Sequence, residues 1–124
     1  MGIARINLAT KQGIAGIIPK KNETTSEFLY YLLQYYGKIL DKYKHEGTLA
    51  EIRPSILKQL KFAFPPKDEQ EMIAHILSMI DDKYEHERSE EVLKLKMGLM
   101  QLLMTGTIRV NNLKKEMKDA ETGN

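Results

Sequence analysis

The fold of this chain is decided mainly by residues 69–106, which read EQEMIAHILSMIDDKYEHERSEEVLKLKMGLMQLLMTG. Apolar side chains recur there at steps of three and four residues, and only Arg88 interrupts the series. This spacing puts them on one stripe along one face of a helix. The stripe consists of Ile73, Leu77, Ile80, Tyr84, Val92, Leu95, Leu99 and Leu102.

Signals at both ends of this stretch predict a single long helix. Asp68 is placed to cap its first turn, with Glu71 three residues later to complete a capping box. Gly106, directly after Thr105, is suited to the left-handed conformation that ends a helix. A helix between these signals would be about 55 Å long at 1.5 Å per residue. We therefore predict that it lies against another long helix. That helix would cover the apolar stripe and stabilise the highly charged middle of the first one, from Asp81 to Glu91.

Composition and charge limit the classes of protein to which the chain can belong. Its 124 residues suffice for a small domain with a long appendage. No apolar run approaches the ~20 residues that a membrane span needs. The absence of cysteine, together with an amino terminus that lacks a signal-peptide core, predicts a cytoplasmic protein without a membrane anchor.

The net charge of +2 hides an asymmetry between the two halves. Residues 1–67 carry eleven Lys and Arg against five Asp and Glu, whereas residues 68–124 carry eight against twelve. The balances are therefore +6 and −4, which sum to the stated +2. A basic front half is expected of a protein with a polyanion partner, although +6 is a modest balance and ordinary solubilising lysines would give the same count.

The front half predicts an α+β fold. A helix should begin at Thr25 or Ser26 and run to about Lys42, and Pro54 should begin a helical turn. The tyrosines of the first helix are read as packing rings in preference to a stacking platform for bases. Four strands are predicted, at Ile3–Leu8, Ile14–Ile18, Leu49–Ile52 and Leu60–Phe64, and the last of them alternates polar and apolar residues. Pro65 and Pro66 end the last strand and lead into the long helix.

The residues from Leu60 onward resemble a known family. Leu60–Pro66, the pair Glu69-Gln70 and the closing run Leu103-Met104-Thr105-Gly106 are similar to a half-repeat of the specificity (S) subunit of type I restriction–modification enzymes. In that family a strand ends in prolines, a Glu-Gln pair opens a long conserved-region helix, and a Leu-Leu-Thr-Gly-like sequence closes it. A weaker resemblance extends over the front half of the chain, which is similar to the later part of a target-recognition domain of the same family. The segments that carry it are Thr10–Gly13, Ile18-Pro19, Phe28–Leu33 and Gly47-Thr48.

This resemblance implies three parts of the chain. Residues 1–66 would be a partial target-recognition domain that binds DNA, residues 67–106 the long conserved-region dimerisation or spacer helix, and residues 107–124 a polar tail. The long helix would pair as an antiparallel coiled coil, either in a homodimer or with another S-subunit helix. The implied partners are double-stranded DNA, a DNA methyltransferase (modification) subunit and, indirectly, a restriction subunit.

The sequence contains no recognisable catalytic or cofactor-binding motif. Gly13-Ile14-Ala15-Gly16 lacks the Lys-Ser/Thr that follows a phosphate-binding glycine loop. His45, His75 and His86 are too scattered for a metal site. Asp41, Glu51 and Arg53 resemble a nuclease cluster only loosely, at a spacing that chance often produces. We therefore predict a non-enzymatic protein with no cofactor and no metal.

Polar residues of the predicted loops are the candidates for DNA contacts. Base edges are read by amide or guanidinium forks, and phosphates are bound by cations. Gln12 and Arg53 are the candidates for sequence preference. The full set is Lys11, Gln12, Lys20, Lys21, Asn22, Lys44, Thr48 and Arg53.

Two alternatives remain open from the sequence. The chain could be a protein-only coiled-coil interaction module, in which the loop residues are merely exposed polar groups. It could equally be a truncated S-subunit remnant that does not bind DNA.

Overall fold

The computed structural model of this chain describes residues 1–10, 14–37 and 54–110. These residues contain four helices, α1 (Ser26–Tyr35), α2 (Pro54–Leu57), α3 (Lys67–Glu87) and α4 (Glu90–Met104). The chain divides into two compact units, residues 1–64 and residues 65–124. Among the described helices, none combines the length and the apolar character that crossing a membrane requires.

The predicted α+β class is wrong for the described residues, which are helical or irregular and contain no strand. Ile3–Leu8, Ile14–Ile18 and Leu60–Phe64 were expected to be strands, but they form no ladder there. Alternating apolar residues indicate which side chains could share a face, whereas a strand also needs a neighbour with which to exchange hydrogen bonds. Leu49–Ile52, the fourth predicted strand, lies outside the described residues.

Helix α1 forms the centre of the first unit and begins where the sequence predicts. Thr25 is its N-cap, and its hydroxyl accepts a hydrogen bond from the Phe28 N–H at 3.2 Å. Phe28, Tyr31 and Leu32 are buried. The helix ends at Tyr35, and the continuation predicted from residue 38 to Lys42 lies outside the described residues.

Aromatic rings attach residues 60–64 to helix α1. Phe64 meets Phe28 edge to face, with ring centroids 5.9 Å apart. Phe62 meets Tyr36, just after the helix, at 5.1 Å. The alternation that suggested a strand therefore places Phe64 against the helix and Phe62 against the residue that follows it.

The prediction of one continuous helix from residue 68 to residue 105 is also wrong. Helix α3 ends at Glu87, Arg88 adopts a left-handed conformation with φ of 50°, and Ser89 caps helix α4. The Ser89 hydroxyl accepts a hydrogen bond from the Glu91 N–H at 3.2 Å. A hairpin is favoured because it lets one half of the apolar stripe cover the other half within the same chain.

Two ion pairs show that α3 and α4 run antiparallel. Near the start of α3, Glu69 pairs with Arg109, which follows α4. Further along α3, Asp81 pairs with Lys96. Residues later in α3 therefore pair with residues earlier in the chain beyond it. The two helices form an antiparallel hairpin, which we call the α3–α4 hairpin.

The ends of the α3–α4 hairpin agree only partly with the predicted signals. The N-cap of α3 is Pro66, with no side-chain cap hydrogen bond, so the predicted cap at Asp68 is wrong. At the other end Gly106 has the predicted left-handed conformation, with φ of 75°. The Gly106 N–H donates to the Leu103 carbonyl at 3.3 Å, and this closes the last turn of α4.

Candidate nucleic-acid interface

A basic turn directly before helix α1 contains the described candidates for DNA contacts. The N–H groups of Glu23 and Thr24 donate to the Lys20 carbonyl at 2.9 Å and 3.0 Å, which closes the turn. Lys20, Lys21 and Asn22 are all exposed on it. Three consecutive polar side chains are therefore presented together, immediately ahead of a helix N-terminus, whose partial positive charge also favours an anion.

Acidic residues beside this turn moderate its charge. Glu23 is exposed in the turn, and Glu27 lies in the first turn of α1. The Arg5 guanidinium donates to the Glu27 carboxylate at 2.9 Å, with both side chains substantially exposed. A hydrogen bond from its own backbone N–H, followed by the one from Arg5, lowers the pKa of Glu27. Lys20, Lys21 and Arg5 together exceed the two carboxylates by one charge, so the surface is only mildly basic.

The structure brings together three of the eight candidate DNA-binding residues. Lys20, Lys21 and Asn22 share the turn described above. The remaining candidates lie outside the described residues, and they are Lys11, Gln12, Lys44, Thr48 and Arg53.

The tyrosines of α1 mainly contact other rings. Tyr31 is buried and meets Tyr30 edge to face at 5.1 Å. Tyr35 and Tyr36 make a similar pair at 4.9 Å. These contacts support the packing interpretation over a platform for bases.

Apolar residues near the amino terminus lie at the surface of the first unit. An apolar hollow of about 980 Å³ is bordered by this segment and by Leu29, Tyr30 and Leu33 of α1. Among the described residues that border it, most are apolar, and Asn7, Thr10 and Ser26 are polar. The large apolar side chains that remain exposed there are Met1, Ile6, Leu8, Ile14, Ile17 and Ile18.

The eight residues predicted for dimerisation divide into three sets by their exposure. Ile73, Leu77 and Val92 are buried. Leu95 remains 56% exposed, and it shares a face of α4 with Leu99 and Leu102 at steps of four and three. Four members of the stripe are half-buried, and they are Ile80, Tyr84, Leu99 and Leu102.

The sequence interpretation missed the ion pairs of the α3–α4 hairpin. Asp81 and Lys96 stand 2.6 Å apart, and the Lys96 side chain is only 9% exposed. Glu69 and Arg109 form a two-bonded fork at 2.8 Å and 2.7 Å. A predicted break at Arg88 would have placed α3 beside α4 and so indicated both pairs. The sequence contains signals of such a break, namely a charged run and then a serine followed by two glutamates.

No group of three or more His, Cys, Asp or Glu residues suited to hold a metal ion occurs in the part of the chain that the structure describes. The candidate surface around the basic turn is polar and mildly basic. Its side chains offer ammonium groups and an amide, which suit phosphate and polar contacts.

Comparison with known proteins gives consistent relatives. The MjaVIII and MjaIX type I restriction enzyme specificity subunits of Methanocaldococcus jannaschii are 36% and 34% identical to this chain, over 106 and 103 residues. A third protein of that organism, provisionally named the MjaX specificity subunit, is 34% identical over 112 residues. These matches cover 80–89% of this chain but only 23–26% of the relatives, so the chain spans about a quarter of their length. No solved structure matches.

The profile of one protein family covers most of the chain. The family is described as the type I restriction modification DNA specificity domain, and its profile matches residues 2–94. This range contains the basic turn, helices α1 to α3 and the start of α4. The chain belongs to the family of type I restriction–modification DNA specificity domains.

Proposed function

We propose that this chain recognises DNA and acts as a scaffold in a type I restriction–modification system, without catalysing a reaction itself. The observation that carries the proposal is the family match over residues 2–94. The exposed turn of Lys20, Lys21 and Asn22 supports it, because ammonium groups ahead of a helix N-terminus suit phosphate contacts. We place the protein in the cytoplasm, where such a system meets DNA.

Phosphate binding by the basic turn gives the first test. A surface that neutralises few phosphates should bind duplex DNA with a Kd near ~10⁻⁴–10⁻⁶ M and weaken steeply with salt. The measurement is a titration of a randomised duplex pool at about 50 mM and about 200 mM salt. Lys20→Ala with Lys21→Ala should lower affinity for all sequences alike.

A matched control is available in the α3–α4 hairpin. Lys83 and Lys94 are exposed there, so Lys83→Ala with Lys94→Ala removes the same charge from another surface. Equal losses in the two double variants would contradict the assignment to the turn. No binding at the lower salt would leave a protein-only interaction module or a remnant that does not bind DNA.

Sequence preference would come from the amide and guanidinium candidates. Gln12 and Arg53 carry the fork-shaped groups that read base edges. Gln12→Ala should change the preference between sequences in the bound pool, whereas the lysine changes should not. Sequencing of the bound fraction measures this difference.

Protein partners complete the proposal. We propose a DNA methyltransferase (modification) subunit as the direct partner, a restriction subunit as an indirect one, and a second copy or another S-subunit helix at the apolar face of α4. The exposed Leu95 and the half-buried Leu99 and Leu102 support this face. Because no catalytic role is proposed for this chain, methyl transfer from S-adenosylmethionine by the purified chain alone would contradict the proposal.

A further inference from the structure

Glu69 and Gln70 are adjacent in the first turns of α3, and both are buried although both are polar. Their relative exposures are 3% and 1%. Burying a carboxylate and an amide is unfavourable unless both are hydrogen-bonded. The partners of these two side chains lie in two different parts of the chain, one before the α3–α4 hairpin and one after it.

Gln70 binds the segment that enters the α3–α4 hairpin. Its side-chain amide nitrogen donates to the Pro65 carbonyl at 2.8 Å. Proline has no N–H, and the Pro66 carbonyl is already taken by the Gln70 backbone N–H at 3.0 Å. The entry of the chain is therefore held by neutral hydrogen bonds.

Glu69 binds the segment that leaves the α3–α4 hairpin. Its two carboxylate oxygens accept hydrogen bonds from the Arg109 guanidinium at 2.8 Å and 2.7 Å, and the Val110 backbone N–H also donates to the carboxylate. Val110 is 1% exposed. Three donors from two consecutive residues thus converge on one buried carboxylate.

We propose that Glu69 is a latch that holds Arg109 and Val110, the end of the exit segment, against the start of α3. The two residues before them are held by the end of α4 instead, where the Ile108 N–H donates to the Leu102 carbonyl at 3.2 Å and the Thr105 and Thr107 hydroxyls are 2.9 Å apart. Gln70 holds the entry segment independently of the latch. The α3–α4 hairpin has its own interior, with Leu77, Val92 and Met100 buried, and its own ion pair between Asp81 and Lys96. Breaking the latch therefore releases Arg109 and Val110, while the α3–α4 hairpin, residues 107 and 108 and the entry segment stay in place.

The exposure of Arg109 is what makes the latch able to open. The Glu69 side chain is 2% exposed, whereas the Arg109 side chain is 52% exposed. Water can solvate the guanidinium once it leaves, so opening is opposed mainly by the buried carboxylate. This role does not depend on DNA binding, and its test does not either.

Residue-resolved amide hydrogen exchange on the full chain tests the latch. In the wild type the Val110 amide should be protected, as should the Leu77 and Met100 amides inside the helices. Glu69→Gln and Arg109→Met should each remove protection at Val110 and leave it at Leu77 and Met100. Arg109→Lys should restore part of the protection, because it keeps a cation near the carboxylate.

Arg88→Met is the matched control for this experiment. It removes an arginine of the same unit whose ion pair with Glu85, at 3.0 Å, is exposed on both sides. Protection at Val110 should be unchanged in this variant. The proposal is overturned if Val110 stays protected without Glu69 or Arg109, or if either change removes protection from Leu77 and Met100 equally.

Discussion

At the scale of single residues, the buried charges of the α3–α4 hairpin determine how the helices are aligned. Asp81 and Lys96 are joined at 2.6 Å, with side-chain exposures of 31% and 9%. Such a pair adds little net stability over apolar residues of similar size, but a buried charge left alone is costly. Its main effect is therefore to disfavour other alignments of α3 against α4.

The Asp81–Lys96 pair predicts unequal effects of its two partners. Asp81→Asn should lower the free energy of unfolding by about 1–3 kcal/mol, because the buried Lys96 ammonium loses the carboxylate charge 2.6 Å away. Lys96→Met should remain within about 1 kcal/mol of the wild type, since an apolar chain replaces the ammonium and the partly exposed Asp81 is hydrated. Urea denaturation measures both values.

Asp82→Asn controls for the first change, because the neighbouring Asp82 is exposed and should matter by less than about 0.5 kcal/mol. Equal destabilisation by Asp81→Asn and Lys96→Met would contradict the interpretation.

The Glu69 carboxylate predicts a loss of stability in acid. Hydrogen bonds from Arg109 lower the pKa of Glu69, while burial and the neighbouring Asp68 oppose this shift. A carboxyl group with a lower pKa in the folded state stabilises the fold above its unfolded pKa of about 4.3, and this contribution is lost as the pH falls through the folded pKa. The urea concentration at the unfolding midpoint of the wild type should therefore decrease as the pH is lowered below about 4.3.

Glu69→Gln should reduce this pH dependence, because the amide does not titrate. Glu27, whose pKa is also lowered, contributes in the same direction and remains in the variant. An identical pH profile for the wild type and Glu69→Gln would exclude Glu69 as a source.

At the scale of elements, the α3–α4 hairpin replaces a single helix of about 37 residues. The left-handed Arg88 costs on the order of 1 kcal/mol. Each large apolar side chain that the hairpin buries contributes about 1.5–3 kcal/mol. Ile73, Leu77, Val92 and Met100 are buried. The gain from packing two half-helices together therefore exceeds the cost of the bend.

The division of the stripe predicts which leucines stabilise the hairpin. Leu77→Ala should lower the free energy of unfolding by about 2–5 kcal/mol, because Leu77 is 0% exposed. Leu95→Ala should cost less than about 1 kcal/mol, because Leu95 is 56% exposed. Thermal or urea unfolding at low protein concentration measures the loss of stability in each variant. Similar costs would contradict an intramolecular hairpin.

At the scale of the whole molecule, each unit carries surface that a further polypeptide could cover. The first unit exposes Ile6 and Ile18, at 76% and 92%. The second exposes Leu95 on the face that it shares with Leu99 and Leu102. This chain spans about a quarter of the length of the relatives that it matches. This exposed surface supports the proposed assembly with other chains.

Self-association through helix α4 follows as a whole-molecule prediction. Sedimentation at micromolar concentration should show dimers, and Leu95→Glu should weaken them by placing a charge in the contact. Met97→Glu is the matched control, since Met97 is 63% exposed but lies two residues from Leu95, off the face shared with Leu99 and Leu102. The prediction would be contradicted if the wild type sediments only as a monomer, or if Leu95→Glu and Met97→Glu weaken the dimer equally.

Local signals in the sequence determined several features by themselves. The start of α1 at Thr25, the helical turn at Pro54 and the stop at Gly106 depend on side chains or backbone preferences within a few residues. The resemblance carried by Glu69-Gln70 and Thr105-Gly106 likewise identified the family, since it depends on order and spacing alone.

Only the tertiary structure decided how these elements combine. An apolar stripe has the same sequence whether a second chain or the second half of its own helix covers it. The pattern alone therefore does not predict the bend at Arg88, which depends on the free energy of the packed hairpin relative to that of a single long helix. The strand predicted at Leu60–Phe64 is absent for a related reason, because Phe64 packs against Phe28 of α1 and Phe62 packs against Tyr36 just after that helix. The partners of Glu69 and Asp81 are distant in sequence, and folding of the α3–α4 hairpin brings them together.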